Sequence, residues 1–206
     1  MMKLNLNDVR LVYPAIFTAK AVATKATQKK ADDDESNPLR FSACGLMTPN
    51  HSSLIDINNA LSVVANAKWG VKGPATLALL RKTLKICLHE GDEKPDYEGF
   101  PGNWFISASN KVRPRIVDRN NAPLEEADGR PYAGCYVNMI VDIWAQDNSY
   151  GKRINATLMG VQFLRDGDAL GVRNVASVDD FKDLTAGANA EDFADLTVGA
   201  NVEDFA

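Results

Sequence analysis

The fold is decided by residues 135–164, which run CYVNMIVDIWAQDNSYGKRINATLMGVQFL. In the first part of this stretch every second side chain is apolar, at Val137, Met139, Val141 and Ile143. Such an alternation is typical of a β-strand with one buried face. Residues 147–151 have the composition of a turn, and residues 153–164 form a second strand-like stretch. The sequence therefore predicts an antiparallel hairpin.

Three strand-like stretches precede this hairpin. They are VRLVYPAIF at 9–17, RFSACGLM at 40–47 and NWFISAS at 103–109. Pro14 has no amide hydrogen to donate, so it predicts a sheet edge or a bulge in the first stretch. A further strand is possible over residues 83–88.

One amphipathic helix is predicted between these strands. Ser52 or Ser53 would cap it, and its apolar stripe runs to about residue 68 through Leu54, Ile57, Leu61 and Val64. A second helical stretch is predicted over residues 74–82, and a loop over residues 91–102. Because helices do not alternate with strands, the pattern predicts a mainly β fold with an inserted helix. An OB-like antiparallel β-barrel fits this order, as do other small barrels.

The composition fits one soluble globular domain. The chain has 206 residues, of which 45% are hydrophobic and 24% are charged. Three cysteines, Cys44, Cys87 and Cys135, lie far apart, so we expect free buried thiols in a reducing compartment. The N-terminus lacks the apolar core of a signal peptide, and no apolar run approaches the ~20 residues that cross a bilayer. We expect a cytoplasmic protein with no membrane partner.

The last part of the sequence is an acidic repeat, which we expect to be a disordered tail at 179–206 beyond a folded domain at 1–178. Residues 183–194 (DLTAGANAEDFA) recur at 195–206 as DLTVGANVEDFA. Eight acids and one lysine give this tail a net charge of −7, which leaves +3 of the chain's −4 for residues 1–178. The tail has few large apolar side chains to offset the entropy of ordering it.

An acid followed by Phe recurs through the tail. A solubilising tail is one interpretation of the acidic residues. A solubiliser needs no aromatic ring, however, and a ring beside carboxylates suits docking into a pocket lined by Lys or Arg on a partner protein. The candidate partner-binding residues are Asp180, Phe181, Asp192, Phe193, Asp204 and Phe205.

Motifs for catalysis are absent. The chain has two histidines, His51 and His89, and neither lies in a metal-binding motif. Phosphate-binding, dinucleotide-binding and nucleophile-elbow motifs are also missing, so no enzyme activity, metal or cofactor is expected. Carboxylates such as Asp92 and Glu125 fall in loops, where solvated charge is the simpler interpretation. A metal-dependent nuclease built from scattered Asp and Glu remains compatible with the sequence.

Binding of a polyanion is better supported. Basic residues lie in KVRPR at 111–115 and at the hairpin turn, close to aromatic side chains. Alternation gives residues 111, 113 and 115 the same face as Phe105 if that strand continues. Basic groups interleaved with rings suit single-stranded nucleic acid, because they meet phosphates and unstacked bases. The candidate DNA-binding residues are Lys111, Arg113, Arg115, Tyr136, Trp144, Lys152, Arg153 and Phe105, although any of the rings could instead serve as core or cap.

Two long blocks of sequence carry a family resemblance. They are WFISASNKVRPRIVDRN at 104–120 and YAGCYVNMIVDIWAQDNSYGKRINATLMGVQFLRDGDALG at 132–171, with KWG-K at 68–72 and HEGDEK at 89–94 in support. In these blocks the chain resembles phage-encoded single-stranded DNA-binding proteins with an OB-fold. The resemblance implies a barrel that coats single-stranded DNA during phage replication or recombination, without catalysis. It also implies an acidic tail that recruits replication partners and competes with DNA, although here Ala206 follows the last Phe.

Three hypotheses follow. The first is a protein that binds single-stranded DNA with little sequence preference in the cytoplasm of the phage's host. The second is a metal-dependent phage nuclease or recombination enzyme, which would cut the strand when Mg²⁺ is present. The third is an adaptor protein that works through its tail and has no affinity for DNA.

Overall fold

A computed structural model describes residues 1–21 and 38–171. In these residues seven strands form one sheet: β1 (Met2–Ala21), β2 (Leu39–Met47), β3 (Leu88–Glu90), β4 (Trp104–Asn110), β5 (Arg115–Val117), β6 (Tyr136–Asn148) and β7 (Gly151–Arg165). Two α-helices lie between β2 and β3, α1 (Ser53–Trp69) and α2 (Gly73–Lys82). Single 3-10 turns cover Gly70–Lys72, Gly91–Glu93 and Glu126–Asp128.

The sheet has the strand order β3-β4-β2-β1-β6-β7-β5. Neighbouring strands are antiparallel, except that β5 runs parallel to β7. The side chain of Asn110 on β4 donates a hydrogen bond of 2.9 Å to the carbonyl of Leu158 on β7. The backbone of β7 also meets the segment before β3, where Ile154 donates to Lys85. The five long strands lie in the order β4-β2-β1-β6-β7, and these contacts bring the outermost two, β4 and β7, together. The result is the partly open barrel of an OB-fold.

The hairpin that the alternation predicts is confirmed as β6 and β7. Its four alternating apolar residues, from Val137 to Ile143, are fully buried. Helix α1 contributes Ile57, Leu61 and neighbouring side chains to the same core, so the predicted helical stripe is also confirmed. Ser52 occupies the N-cap position but makes no side-chain capping bond.

Strand β1 is shared by the two halves of the barrel. Its first part pairs with β6, from Met2 opposite Ile143 to Arg10 opposite Tyr136. Its later part pairs with β2, and the register shifts between Val12 and Ala15. Pro14 falls in this shift, beyond the last residue paired with β6, so its missing amide hydrogen leaves no ladder bond unmade. Of the two predicted positions, edge or bulge, the structure has the bulge.

Two local predictions are corrected. The possible strand over 83–88 is wrong for all but its last residue, because the chain makes a hydrogen-bonded turn after α2 and β3 begins at Leu88. The strand over 103–109 does not continue through the basic residues, because β4 ends at Asn110. No helix within residues 1–21 and 38–171 is long and apolar enough to cross a membrane. The domain boundary at 178 and the tail lie outside the described residues.

Candidate nucleic-acid interface

A groove of about 580 Å³ runs between β4 and the β6–β7 hairpin. The start of β2 and the segment from Leu84 to His89 complete its walls. Four cationic side chains line it: Arg40, Lys85, Lys111 and Arg153. We call these four the groove cations. None of the described residues that line the groove is Asp or Glu, so the concave surface carries positive charge without opposing carboxylates.

Neutral side chains on the groove surface can contact bases and sugars. Trp144 is half-buried, and its indole Nε1 donates a hydrogen bond of 3.0 Å to the hydroxyl of Thr157. Because this bond connects cross-strand neighbours, it fixes the ring on the wall formed by the hairpin. Polar groups continue around the floor at Ser107, Ser109, Asn110, Gln146 and Asn155.

His89 also lines the groove, on β3. Its Nδ1 lies 3.1 Å from the carboxylate of Glu93, and its ring stacks on Phe105 with 5.0 Å between centroids. Burial lowers the pKa of His89, and the nearby Glu93 carboxylate opposes that shift only in part. The imidazole is therefore mainly neutral at pH 7 and gains charge only in acid.

Within the described residues the groove cations have no acidic partner, unlike several basic residues elsewhere on the surface. Across residues 1–21 and 38–171, no carboxylate forms an ion pair with any of the four. Ion pairs do form at Arg113, Arg130, Lys152 and Arg165. A cation whose charge is not already satisfied is the kind that gains most from meeting a phosphate.

Three of the predicted DNA-binding residues lie together in this groove. They are Lys111, Trp144 and Arg153, which come from the end of β4, from β6 and from β7. Lys111 and Arg153 are exposed and Trp144 is half-buried. Trp144 pairs with Asn155, and Asn155 and Arg153 are two residues apart on β7 and therefore share a face. The hairpin thus brings Trp144 and Arg153 to the same wall.

The structure places Arg113, Arg115 and Tyr136 elsewhere. Arg113 pairs with Glu125 at 2.9 Å, and Arg113 and Arg115 line a separate concavity of about 320 Å³. The shared face predicted for residues 111, 113 and 115 is wrong, because the strand that would have supplied the alternation stops at Asn110. Tyr136 lies at the other end of β6, with the Arg165 guanidinium 3.4 Å from its ring centroid.

The side chains of Lys152 and Phe105 already have partners within the protein. The Lys152 ammonium donates to the Asp147 carboxylate at 2.9 Å and lies 5.4 Å from the Trp69 ring. The indole of Trp69 donates to the same carboxylate at 2.8 Å, so these three side chains fasten the hairpin tip to the end of α1. Phe105 is only 3% exposed, packed against His89 and Phe100. A ring this buried has no face for a base, and its prediction as a stacking residue is corrected.

Sequence reasoning missed Arg40, Lys85 and His89. Arg40 carried a usable signal, because it begins the alternation Arg40, Ser42, Cys44 on the polar face of β2. Lys85 and His89 carried none, because their segment reaches the groove only through the turn that follows α2. The predicted partner-binding residues of the tail, from Asp180 to Phe205, lie outside the described residues.

Chemically reactive groups are few around the groove. Cys87 lines it, but burial raises the pKa of this thiol to about 12, so the thiol stays protonated at neutral pH. Cys44, Cys87 and Cys135 are all free, and the last two are buried as predicted. No group of three or more His, Cys, Asp or Glu in the described part of the chain is arranged to hold a metal ion.

Comparison with solved structures supports the fold. The single-stranded DNA-binding protein of bacteriophage Enc34, solved in complex with single-stranded DNA, matches with a TM-score of 0.64 and 26% identity. That match covers 82% of this chain and 89% of the Enc34 chain. Protein gp2.5 of bacteriophage T7, a single-stranded DNA-binding protein, matches in fold alone, with a TM-score of 0.50 and 9% identity over 97% of this chain and 99% of its own.

Sequence comparison identifies the family. Protein p50 of Acyrthosiphon pisum secondary endosymbiont phage 1 is 40% identical over 187 residues, covering 89% of this chain and 95% of p50. A family model described as the Enterobacter phage Enc34 ssDNA-binding protein matches residues 2–194. The chain therefore belongs to the family of the phage Enc34 single-stranded DNA-binding protein.

Proposed function

We propose that this protein binds single-stranded DNA in the groove between β4 and the β6–β7 hairpin. One observation carries the proposal: four cations with no acidic partner share a concave surface with a tryptophan ring. The groove cations would meet phosphates, and Trp144 would stack on a base. The strand would be held mainly by charge and stacking, so sequence preference would be weak.

The position of the groove on the barrel supports the same function. OB-folds bind oligonucleotides on the face of their second and third strands, between the loops that join strands one and two and strands four and five. Here the second and third long strands are β2 and β4, and the turn between the fourth and fifth is the tip of the β6–β7 hairpin. Strands β2 and β4 supply residues to the groove, and so do Gln146 and Arg153, which pair next to the hairpin tip.

The biological role follows from the family. A protein that coats single strands without cutting them would protect phage DNA during replication or recombination, in the cytoplasm of the host. The acidic tail would recruit a replication or recombination protein through its Phe residues and compete with DNA for the groove cations. Its net charge of −7 is opposite to theirs, and three copies of the Phe motif would raise the local concentration of the docking peptide.

The test is fluorescence anisotropy of a labelled oligo-dT across a salt series, with the full chain and with residues 1–178. We expect binding that weakens linearly in log salt. Four phosphate contacts predict a slope of about −2.8, at roughly −0.7 for each contact on a single strand. Without the tail, binding should tighten at low salt, where repulsion between tail and DNA is least screened.

Two results would contradict the proposal. Absence of binding by both proteins at low salt would remove the function and leave the adaptor hypothesis. Cleavage of the oligonucleotide during incubation with Mg²⁺ would show an enzyme. Unchanged affinity on deleting residues 179–206 would contradict only the competition by the tail.

A further inference from the structure

A cluster of aromatic rings surrounds one lysine beside the groove. The Nζ atom of Lys94 lies 5.0–5.6 Å from the ring centroids of Tyr13, Tyr97, Phe100 and Phe105. We call these five residues the aromatic patch. Phe100 and Phe105 are buried, whereas Tyr13 and Tyr97 are 47% and 50% exposed. The patch therefore has a hydrophobic base and presents two tyrosine rings and an ammonium group to solvent.

The patch is continuous with the groove. His89 lines the groove, and its ring stacks on Phe105 of the patch. Phe105 also shares a face of β4 with Ser107, which lines the groove, and residues two apart on a strand are separated by about 7 Å. From Phe105 the ring contacts lead to Phe100, at 5.0 Å, and then to Tyr13, at 5.8 Å.

Tyr13 is held outward at a conformational cost. Its φ is +50°, a region that L-residues other than glycine, Asn and Asp seldom occupy. It lies within the register shift of β1 between Val12 and Ala15. Bulges re-aim side chains next to functional sites, and strained backbone collects there. The core does not need this ring, because half of it faces solvent.

The loop that carries Lys94 and Tyr97 is braced. Successive backbone hydrogen bonds join Lys94 to Gly91, Tyr97 to Lys94 and Phe100 to Tyr97. The Asp92 carboxylate accepts from the amide of Gly102 at 2.8 Å, which ties the two ends of the loop together. The rings are thus held in a fixed arrangement before any ligand arrives. Ordering them on binding would cost little conformational entropy.

We infer that the DNA track continues out of the groove onto the aromatic patch, where Tyr13 and Tyr97 stack on bases and Lys94 meets a phosphate. The inference rests on the proposed function and extends it by naming a second stacking subsite. In the described residues, the Lys94 ammonium has no ion-pair partner. The same loop, however, carries Asp92, Glu93, Asp96 and Glu98. We therefore expect stacking, rather than charge, to supply most of the affinity at the patch.

The experiment compares two oligo-dT lengths, one of about 4 and one of about 16 nucleotides, which bracket the site sizes of OB-folds. Using the full chain, the double variant Tyr13→Leu/Tyr97→Leu should bind the longer oligonucleotide at least about fivefold more weakly for each stacked ring lost. Its affinity for the shorter one, which the groove alone can hold, should stay unchanged. The salt slope should also stay unchanged, because no charge is removed.

Two controls separate the patch from the groove. Tyr13→Phe/Tyr97→Phe keeps both ring faces and should retain the affinity for the longer oligonucleotide. Arg153→Ala should weaken binding of both lengths and flatten the salt slope by about 0.7. Equal thermal unfolding midpoints for the parent and the Leu variant would show that the fold is intact.

The outcomes are distinguishable. If Arg153→Ala weakens binding while the Leu variant binds both lengths like the parent, the patch is not a DNA subsite and the inference is wrong, although the groove stands. Equal weakening of both lengths by the Leu variant, with an intact fold, also overturns it, because the patch would then not lie beyond the groove. If Arg153→Ala has no effect on either length, the proposed groove itself is contradicted.

Discussion

Two groups of basic side chains in this protein differ in what faces them. The groove cations line a surface free of carboxylates. At the opposite end of the β6–β7 hairpin, Arg165 pairs with Asp8 at 2.9 Å and Arg130 pairs with Asp166 at 2.7 Å. We call these two ion pairs the paired rim. The sequence alone does not separate the two groups, because every member is an Arg or Lys and nothing nearby in the sequence shows which will be paired.

The difference separates two uses of positive charge. In the paired rim, each guanidinium joins segments distant in sequence and also lies over a ring, Tyr136 or Phe163. Such pairs fix loops, and exposed ones contribute little to stability. In the groove the charge has no internal use, so its favourable partner has to come from outside. Of these two regions, the one whose cations have no partner and share a concave surface is the stronger candidate for contact with DNA.

The strongest test removes two charges from the groove and, as a control, two charges from ion-paired positions. Lys111→Ala/Arg153→Ala should weaken oligo-dT binding about 100-fold at low salt, at roughly 1.4 kcal/mol for each charge-assisted contact. The slope of log affinity against log salt should become shallower by about 1.4. Arg113→Ala/Arg130→Ala removes the same net charge from ion-paired positions and should change affinity less than about threefold. Equal losses in the two variants would mean that net charge, not the groove, attracts DNA.

Replacing the ring in the groove should have the next largest effect. Trp144→Leu should lower oligo-dT affinity about tenfold, because stacking contributes ~1–3 kcal/mol per base, and should leave the salt slope unchanged. Trp144→Phe loses the bond to Thr157 but keeps a ring face, so it should bind within about threefold of the parent. Anisotropy titrations measure both. A Phe variant as weak as the Leu variant would assign the loss to the hydrogen bond rather than to stacking.

A lower pH should raise the affinity for oligo-dT and lower the free energy of unfolding. As pH falls below about 6.5, the ordinary pKa of histidine, His89 begins to gain a proton in the groove, and affinity for oligo-dT should rise. Folding lowers the pKa of His89, so below about pH 6.5 the unfolded chain binds more protons than the folded one. The stability that neutral His89 contributes is therefore lost as the pH falls through the pKa of the folded state. Salt-matched anisotropy and urea unfolding at each pH measure the two effects.

The chain offers a matched control for this pH dependence. Its other histidine, His51, contacts the backbone of Asp8 and Ser53 and does not line the groove. His89→Gln should flatten the affinity profile, whereas His51→Gln should leave it as in the parent. A profile that flattens only with the His51 variant would contradict the role of His89.

The smallest effect is expected in the paired rim. Arg165→Ala removes an exposed ion pair and a contact with the Tyr136 ring, so the free energy of unfolding should fall only slightly. Affinity for oligo-dT should not change. Chemical denaturation and anisotropy on the same preparation would check both, and a loss of DNA affinity above about threefold would extend the interface to this end of the hairpin.

The barrel was predictable because a strand buried on one face has an apolar residue at every second position. The buried face of β6 and the stripe of α1 both follow from spacing alone. Spacing also puts Phe105 and Ile106 on opposite faces of β4, in agreement with the separate clusters they join. It could not show that residues 91–102 fold back so that Phe100 covers the ring. A strand pattern defines a face but not what packs on it.

The site was most predictable where one hairpin carries it. Trp144 and Arg153 lie on one face of the hairpin, in the neighbouring pairs Trp144–Asn155 and Gln146–Arg153, and such local pairing can be inferred from sequence. Lys85 reaches the groove only through the turn after α2, a contact between distant segments that no local pattern records. The same limit applies to Arg113, because nothing in KVRPR shows that Glu125 will neutralise it. Pairing of surface charges is a tertiary property.

The division of β1 between two partners has a consequence for how the chain is made. Met2 pairs with Ile143, so β1 leaves the ribosome before a partner that comes well over a hundred residues later. Contacts this distant in sequence are formed late and slow folding, because a long loop has to close first. During synthesis, the exposed edge of β1 is open to pairing with other chains until β6 emerges. Productive folding therefore requires that nascent chains stay apart until the hairpin is complete.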